Sequence, residues 1–296
     1  MAIYHLSIKP VTRSDGRSAP AAAAYRSGTR IKDAATGEVH DYRSKRGVEA
    51  SEIVLPARAE GAAWARDREA LWNAAERAEK LANSRVAREY EVALPSELTP
   101  AQRRELAREF ARELAERFGV AVDFAIHQPH REGDVRNHHA HILTTTRKVE
   151  EGGLKDKATP ELSDTKRAQL KLGRGKTEVK ELRKRWAELA NAALQRHGHI
   201  VRIDHRSLAK QGIDRRPGSH LGPVVMERLR RGKDSTVLQR IEGEAATEAV
   251  EAIERGRIER QLKVESARLE RAILDTTTSL KDALAERDRA ARPVRP

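Results

Sequence analysis

Two apolar segments that lie close together in the chain constrain the fold more than any other feature. Residues 120–128 and 137–146 each have the apolar content of a strand, and a mostly polar stretch of eight residues separates them. Such a short connection joins antiparallel strands, because a parallel pair needs a crossover of a dozen or more residues. The sequence therefore predicts a β-hairpin with a long polar loop.

This predicted hairpin carries five of the eleven histidines. His139 and His141 are two residues apart, so on a strand their side chains share a face, whereas His138 should point to the other face. His127 lies at the end of the partner segment, and pairing would bring three imidazoles together. Three imidazoles can bind a divalent metal and leave coordination positions open for a substrate. We expect His138 and His130, which lies in the loop, to stay outside the ligand set.

Periodicity and helix start signals predict the remaining elements. Ser18 is a predicted N-cap, and Thr99 followed by Pro100 is a second helix start. The order β-α-β-β-α-β-α-β-β indicates an α+β domain with a mostly antiparallel central sheet and helices packed on one face. The predicted strands are residues 2–9, 37–42, 52–55, 86–94 and 200–203 besides the hairpin, and the predicted helices are residues 18–31, 61–83, 99–118 and 177–195.

The charge balance points to an anionic partner. The formal net charge is +13, which favours nucleic acid first and an anionic membrane surface second. There are no cysteines, so disulfides, zinc-thiolate sites and cysteine nucleophiles are excluded, which fits a reducing cytosol. No apolar segment approaches the roughly 20 residues that span a bilayer. The start of the chain is not a secretory signal, so we expect a cytoplasmic protein without membrane insertion.

Two acids on the predicted strand 86–94 are candidate functional groups. Glu89 and Glu91 share a face with Ala87 and Ala93. Carboxylates placed there can hold a histidine or polarise a nucleophile. The pattern by itself favours a solvent-facing side of the sheet.

Tyr25 is a candidate nucleophile. It follows four alanines, which would leave its ring accessible, and it precedes Arg26. A tyrosinate can attack phosphorus and form a covalent ester. Since the free phenol has a pKa near 10, it needs a metal, a cation or a base to help. Most tyrosines in amphipathic helices are core or boundary residues, which is the alternative interpretation.

From residue 223 the chain is almost wholly helix-forming and rich in charges of both signs. Ile258, Leu262, Leu269 and Ile273 give a partial apolar stripe that Glu265 interrupts. The sequence predicts a charged helical C-terminal extension at 223–296. It is a solvated helix in one interpretation and a short coiled coil in the other.

Several short motifs occur in an order that resembles one family. They are Met1–Ser7 (MAIYHLS), Gly16–Ala19 (GRSA), Ala23–Arg26 (AAYR), Val86–Glu89 (VARE), Ala93–Pro95 (ALP) and Asn137–His141 (NHHAH). Together they resemble the MobA/MobL family of plasmid mobilisation relaxases, of the His-hydrophobic-His endonuclease superfamily. The resemblance covers residues 1–222, which would form the relaxase domain. His138 departs from some relatives, which have proline before the histidine pair.

The resemblance implies a palm-like sheet and a site- and strand-specific DNA nicking reaction. Tyr25 would be the nucleophile and would form a 5′-phosphotyrosyl intermediate. His127, His139 and His141 match the metal ligands of the family, with Mn²⁺ or Mg²⁺ as the expected ion, and Glu89 matches a supporting acid.

The implied partner is single-stranded or hairpin DNA at a transfer origin, with accessory mobilisation proteins and a conjugative transfer apparatus in a bacterial cytoplasm. Charge and position suggest a set of DNA contacts. They are Arg13, Arg17, Arg26, Arg215 and Arg216.

Two other functions stay open at this point. A rolling-circle replication initiator would use the same chemistry at a replication origin, and only the preferred DNA site would separate the two. A non-catalytic basic DNA-binding protein would bind in a salt-sensitive manner without a metal or a covalent adduct. The clustered histidines argue against it, because phosphate binding alone favours arginine and lysine.

Overall fold

The computed structural model describes residues 3–129, 134–213 and 256–273, together with residues 276, 279, 284, 285 and 287. The chain divides into two units, one made of Met1–Arg131 with Arg136–Ile213 and the other of Glu132–Val135 with Asp214–Pro296. The predicted boundary at residue 222 stays a prediction. It lies outside the described residues, as do His130, Arg215 and Arg216.

The first unit mixes strands and helices. Its strands are β1 (Leu6–Thr12), β2 (Arg30–Lys32), β3 (Val39–Asp41), β4 (Val48–Val54), β5 (Arg85–Ala93), β6 (Val122–His127), β7 (His139–Thr145), β8 (Arg147–Glu150) and β9 (Gly153–Lys157). Its helices are α1 (Ala19–Ser27), α2 (Arg68–Ala78), α3 (Pro100–Phe118), α4 (Asp164–Gln169) and α5 (Gly175–Arg196). Short 3-10 turns lie at Arg13–Asp15, Ala57–Ala59, Ala63–Arg66, Thr159–Glu161 and Leu208–Gln211.

Five strands form the central sheet in the order β1-β5-β7-β6-β4, and each neighbouring pair is antiparallel. The predicted hairpin is β6 with β7, and it lies inside this sheet. The α+β class and the antiparallel sheet are confirmed. β2 with β3 and β8 with β9 form two separate small hairpins.

The two long helices cover one face of the sheet. Tyr90, Phe124 and Ile142 alternate onto this face and belong to one buried apolar cluster with side chains of α3 and α5. Phe110 of α3 and Trp186 of α5 meet there with ring centroids 5.1 Å apart. The expected helical layer is therefore made of α3 and α5.

Shorter helices lie beside the opposite face, which adds to the expected arrangement. Trp72 of α2 donates from its indole Nε1 to Oδ2 of the buried Asp123 on β6, at 2.9 Å. Arg68 binds both oxygens of the same carboxylate at 2.8 and 2.9 Å. α1 contacts α2, β4 and β6 on this side. The three histidines of the hairpin lie on the same face as Asp123.

Local signals set the helix starts as predicted. The Ser18 side chain accepts from the Ala21 amide and caps α1. Thr99 and Gln102 form a reciprocal capping box at the start of α3. The predicted end of the first helix at residue 31 is wrong. Gly28 has a φ of 66°, a left-handed conformation that ends α1 at Ser27.

Two further predictions are wrong. Residues 61–83 are not one helix, because Asp67 is extended and its side chain caps a new helix by accepting from the Ala70 amide. Residues 200–203 are not a strand, because the amide and carbonyl of Ile203 pair with the Asn191 side chain of α5. β8, β9 and α4 lie in a region for which no elements were expected.

In the second unit residues 256–273 are helical. Ile258, Leu262, Leu269 and Ile273 are all exposed there. The coiled coil stays a prediction. Within the described ranges, no helix has both the length and the apolar character needed to cross a membrane.

Candidate active site

The strand register brings three histidines together. His127 of β6 lies directly opposite His139 of β7, and His141 follows two residues later on the same face. The three ring centroids are 4.8 to 5.4 Å apart, and one ring nitrogen from each lies within 4.8 Å of the others. His127 is only 8% exposed, and the other two are half-buried. This grouping has the donor chemistry of a divalent metal site.

Each of these rings has one nitrogen fixed by an acceptor. His127 Nε2 donates to the carbonyl oxygen of Arg26 at 2.7 Å, and His139 Nδ1 donates to that of Asn137 at 2.9 Å. His141 Nδ1 donates to Oε1 of Glu89 at 2.7 Å. Because carbonyls and carboxylates only accept, the protons lie on these nitrogens. In the neutral form of each ring, the second nitrogen has a lone pair that can bind a metal.

The buried environment keeps two of these imidazoles neutral. Burial lowers the pKa of His127 to about 3, although the hydrogen bond to the Arg26 carbonyl opposes the shift. Burial also lowers the pKa of His139. Metal ions bind the neutral form of histidine, so His127 and His139 do not have to lose a proton before they bind a metal at neutral pH.

Glu89 is the acid that supports this cluster, and it does not face solvent. It is 5% exposed, and Arg26 binds it with two hydrogen bonds, Nε to Oε1 at 2.6 Å and Nη2 to Oε2 at 2.7 Å. Burial by itself would raise the pKa of Glu89, but the hydrogen bonds from His141 and Arg26 outweigh it and hold the pKa well below its usual value. Glu89 is therefore a carboxylate that orients the His141 ring. Its neighbour on the same face, Glu91, is half-buried and pairs with Lys9 at 3.3 Å.

Tyr25 lies in the last turn of α1 and is 50% exposed. A cavity of about 420 Å³ is lined by Tyr25 together with Glu89, Glu91 and His141. Lys9 and Arg17 supply positive charge to the same cavity. The predicted nucleophile and part of the predicted metal site thus share one open space.

The proposed DNA-contacting arginines divide into two groups. Arg13 binds the Glu76 carboxylate and carbonyl and the Leu81 carbonyl, so its guanidinium joins two parts of the fold. Arg26 is occupied by Glu89. These internal contacts do not test the expected DNA contacts of Arg13 and Arg26, which stay predictions. Arg17 is exposed, and its role as a DNA contact also stays a prediction.

His138 lies apart from the triad. Its Nδ1 is buried without a hydrogen-bond partner among the described residues, and the closest carboxylate oxygen is Oε2 of Glu49 at 4.0 Å. It does not belong to the metal-binding group. This placement agrees with the expectation that it stays outside the ligand set.

Sequence reasoning missed two groups at the site. The first is the role of Arg26 as the partner of Glu89. The second is Lys45, whose Nζ lies 3.6 Å from the centroid of the Tyr25 ring. Neither contact leaves a signal in the sequence, because the partners are 63 and 20 residues apart and follow no periodic pattern.

Comparison with known sequences places the chain in a family. The sequence model of the MobA/MobL family matches residues 17–231. The chain is 43% identical to mobilization protein MobL of Acidithiobacillus ferridurans, over 98% of this chain and 79% of that protein. It is 36% identical to mobilization protein A of Escherichia coli, over 78% of this chain and 31% of that protein. The chain therefore belongs to the MobA/MobL family.

A solved structure agrees with this membership. It is described as "Molecular Basis of Vancomycin Resistance Transfer in Staphylococcus aureus" and is 36% identical to this chain, with a TM-score of 0.59. The match covers 70% of this chain and 100% of the solved one. The likeness supports the fold.

Proposed function

We propose that this protein is a site- and strand-specific relaxase that nicks one DNA strand at a plasmid transfer origin for conjugative mobilisation. The placement of Tyr25 carries the proposal. Its half-exposed ring lines the same cavity as His141 and Glu89. A phosphodiester transferase with a tyrosine nucleophile needs an accessible phenol, and here that phenol lies beside a histidine cluster. Membership of the MobA/MobL family supports the same assignment.

In the proposed reaction the Tyr25 oxygen forms a bond to the scissile phosphorus, and the bond from phosphorus to the 3′ oxygen breaks. The phenol gives up its proton, and the leaving 3′ oxygen takes one. The products are a 5′-phosphotyrosyl bond and a free 3′-hydroxyl. Because one phosphate ester is exchanged for another, attack by a 3′-hydroxyl can reseal the strand, whereas hydrolysis by water would lose that reversibility.

His127, His139 and His141 would hold the divalent metal, for which Mn²⁺ or Mg²⁺ is proposed. Bound there, the metal would withdraw charge from the non-bridging phosphate oxygens. Mn²⁺ suits an all-nitrogen ligand set better than Mg²⁺, which prefers oxygen. The chain contributes orientation, since Glu89 and the Arg26 carbonyl each fix one of these rings.

The proposed substrate is single-stranded DNA, or a hairpin next to it, at the origin. Lys9 and Arg17 line the cavity, and the net charge of +13 favours a phosphate backbone. The proposed protein partners are accessory mobilisation proteins and a conjugative transfer apparatus. The proposed location is the bacterial cytoplasm.

The test is incubation with single-stranded DNA from the plasmid's own origin, with and without Mn²⁺, followed by a denaturing gel. We expect a protein-DNA adduct that requires Mn²⁺ and disappears in Tyr25→Phe, while that variant still binds the DNA. Tyr4→Phe is the matched control, because it loses a hydroxyl that bonds to the Arg183 carbonyl of α5. An adduct of normal yield from Tyr25→Phe would exclude the tyrosine mechanism.

The same experiment separates the two alternatives. A replication initiator would form the adduct preferentially with DNA from the replication origin. A non-catalytic DNA-binding protein would bind in a salt-sensitive manner and form no adduct with either DNA.

A further inference from the structure

One lysine contacts both the backbone and the ring of the proposed nucleophile. Lys45 Nζ donates to the carbonyl oxygen of Tyr25 at 2.7 Å. The same ammonium group lies 3.6 Å from the centroid of the Tyr25 ring. A lysine that merely satisfied a helix end would need only the first contact.

The Tyr25 carbonyl can accept a hydrogen bond from Lys45 because α1 ends two residues later, at Ser27. In a continued helix the Thr29 amide would donate to Tyr25, but it donates to Ala24 instead, at 3.1 Å. A cation at this end of a helix is also favoured by the helix dipole. The next carbonyl along, that of Arg26, accepts from His127. The end of α1 is thus joined to Lys45 on one side and to the histidine cluster on the other.

The turn that carries Lys45 is itself tied to the end of α1. The Tyr42 amide donates to the Thr29 carbonyl at 3.1 Å, and the Lys45 amide donates to the Tyr42 carbonyl at 2.9 Å. The Tyr42 ring meets the Tyr25 ring nearly perpendicularly, at a centroid distance of 5.2 Å. Residues 42–45 therefore contact the Tyr25 ring through two side chains and hold a fixed position beside it.

We propose that Lys45 is a positioning residue for the tyrosine nucleophile, which holds the Tyr25 ring at the cavity and keeps a positive charge beside it during phosphoryl transfer. The inference rests on the proposed function. Lys45 is half-buried, and burial, followed by the nearby Arg26 charge, lowers its pKa to about 8. An ammonium group that is poorly solvated interacts more strongly with an aromatic face than an exposed one does.

Three substitutions separate the charge from the hydrogen bond. Lys45→Arg keeps both, Lys45→Gln keeps only a neutral donor, and Lys45→Met keeps neither. The readouts are the single-turnover rate of adduct formation at saturating origin DNA with Mn²⁺, and the Kd for the same DNA. Arg46→Ala is the matched control, since it removes one positive charge from the adjacent, exposed position.

We expect Lys45→Met to lower the single-turnover rate about tenfold, the combined effect of a lost cation-π contact and a lost charged hydrogen bond. The rate of Lys45→Gln should lie between those of Lys45→Met and the wild type. The rate of Lys45→Arg should be close to that of the wild type. In the three Lys45 variants the Kd for DNA should change less than about twofold. The control Arg46→Ala should show an equally small change in Kd and keep the wild-type rate.

The outcomes that overturn the inference are distinct from failure of the proposed function. A wild-type protein that forms no adduct removes the proposed function itself. If the wild type is active, a normal rate in Lys45→Met excludes a positioning role. Equal loss in Lys45→Arg and Lys45→Met, together with a lowered Tm, would make Lys45 a structural helix cap only. A weaker Kd with an unchanged saturating rate would make it a DNA contact.

Discussion

The two faces of β5 and β7 differ in character around the histidine cluster, although they are built from alternate residues of the same strands. Tyr90 and Ile142 point into the apolar cluster under α3 and α5 and are fully buried. Their sequence neighbours Glu89 and His141 point to the other side and form a hydrogen-bonded pair. A shift of register by one residue would exchange these faces, so the apolar side fixes which residues reach the site.

The histidines and the tyrosine are positioned by different means. The histidines are held by strand register, which depends on the buried face behind them. Tyr25 is on α1, and its place depends on contacts made by Lys45, Tyr42 and Arg26. Changes on the site face should therefore act on chemistry, and changes on the apolar face should act on stability.

The largest expected effect is the loss of a proposed metal ligand. His139→Ala removes one of three nitrogens, and we expect Mn²⁺ binding to fall below detection by calorimetry and adduct formation to drop about a thousandfold or more. His138→Ala is the matched control, because it removes the adjacent imidazole, which lies outside the triad. Unchanged Mn²⁺ affinity in His139→Ala would remove His139 from the ligand set.

A smaller loss of Mn²⁺ affinity and of adduct formation is expected when Glu89 is replaced by a neutral side chain. Glu89→Gln weakens the hydrogen bond that orients His141 and leaves Arg26 without its carboxylate, so Mn²⁺ affinity and adduct rate should fall about 10- to 100-fold. Glu91→Gln is the comparison on the same strand and face, where the partner is the exposed Lys9. Equal losses in the two variants would show that Glu89 acts only through the general charge of the cavity.

The sequence predicted the parts of this arrangement that are local or periodic. The β6–β7 hairpin and the shared face of His127, His139 and His141 follow from a two-residue period and a short connection. Ser18 and Thr99 could be recognised as caps because each bonds to amides within its own next turn.

Parts that depend on distant partners could not be predicted in this way. The pattern favoured a solvent-facing Glu89, but the structure buries it. Its environment is decided by the guanidinium of Arg26, which comes from another element and leaves no mark on the strand pattern. The apolar content of residues 200–203 suggested a strand, yet Asn191 takes the backbone groups of Ile203. Tertiary contacts outweigh local propensity at both places.

A moderate effect of pH on stability should distinguish the histidine face from the apolar face. The pKa of His127 is about 3 in the folded protein, below the value near 6.5 expected when unfolded. Between these values the unfolded chain binds a proton that the folded protein does not, so stability is full above pH 6.5 and falls as the pH is lowered. Between pH 7 and 5, we expect this histidine to cost about 2 kcal/mol.

Urea unfolding of the metal-free protein at pH 7 and pH 5 would measure this difference. His127→Gln removes the titrating group and should reduce the loss of stability between the two pH values. An identical pH dependence in wild type and His127→Gln would mean that other groups cause the acid sensitivity.

The smallest effect should come from the apolar face. Ile142→Val removes one methylene group from the buried cluster directly next to His141 in sequence, and it should lower the free energy of unfolding by about 0.5–1.5 kcal/mol. The adduct rate per folded molecule should stay within about twofold of wild type, because the β5–β7 register is held by a full ladder of backbone pairs. Urea unfolding and single-turnover cleavage at low temperature would measure the two quantities separately. A rate loss as large as that of Glu89→Gln would mean that packing behind the sheet sets the orientation of His141 directly, and the two faces could no longer be treated as independent.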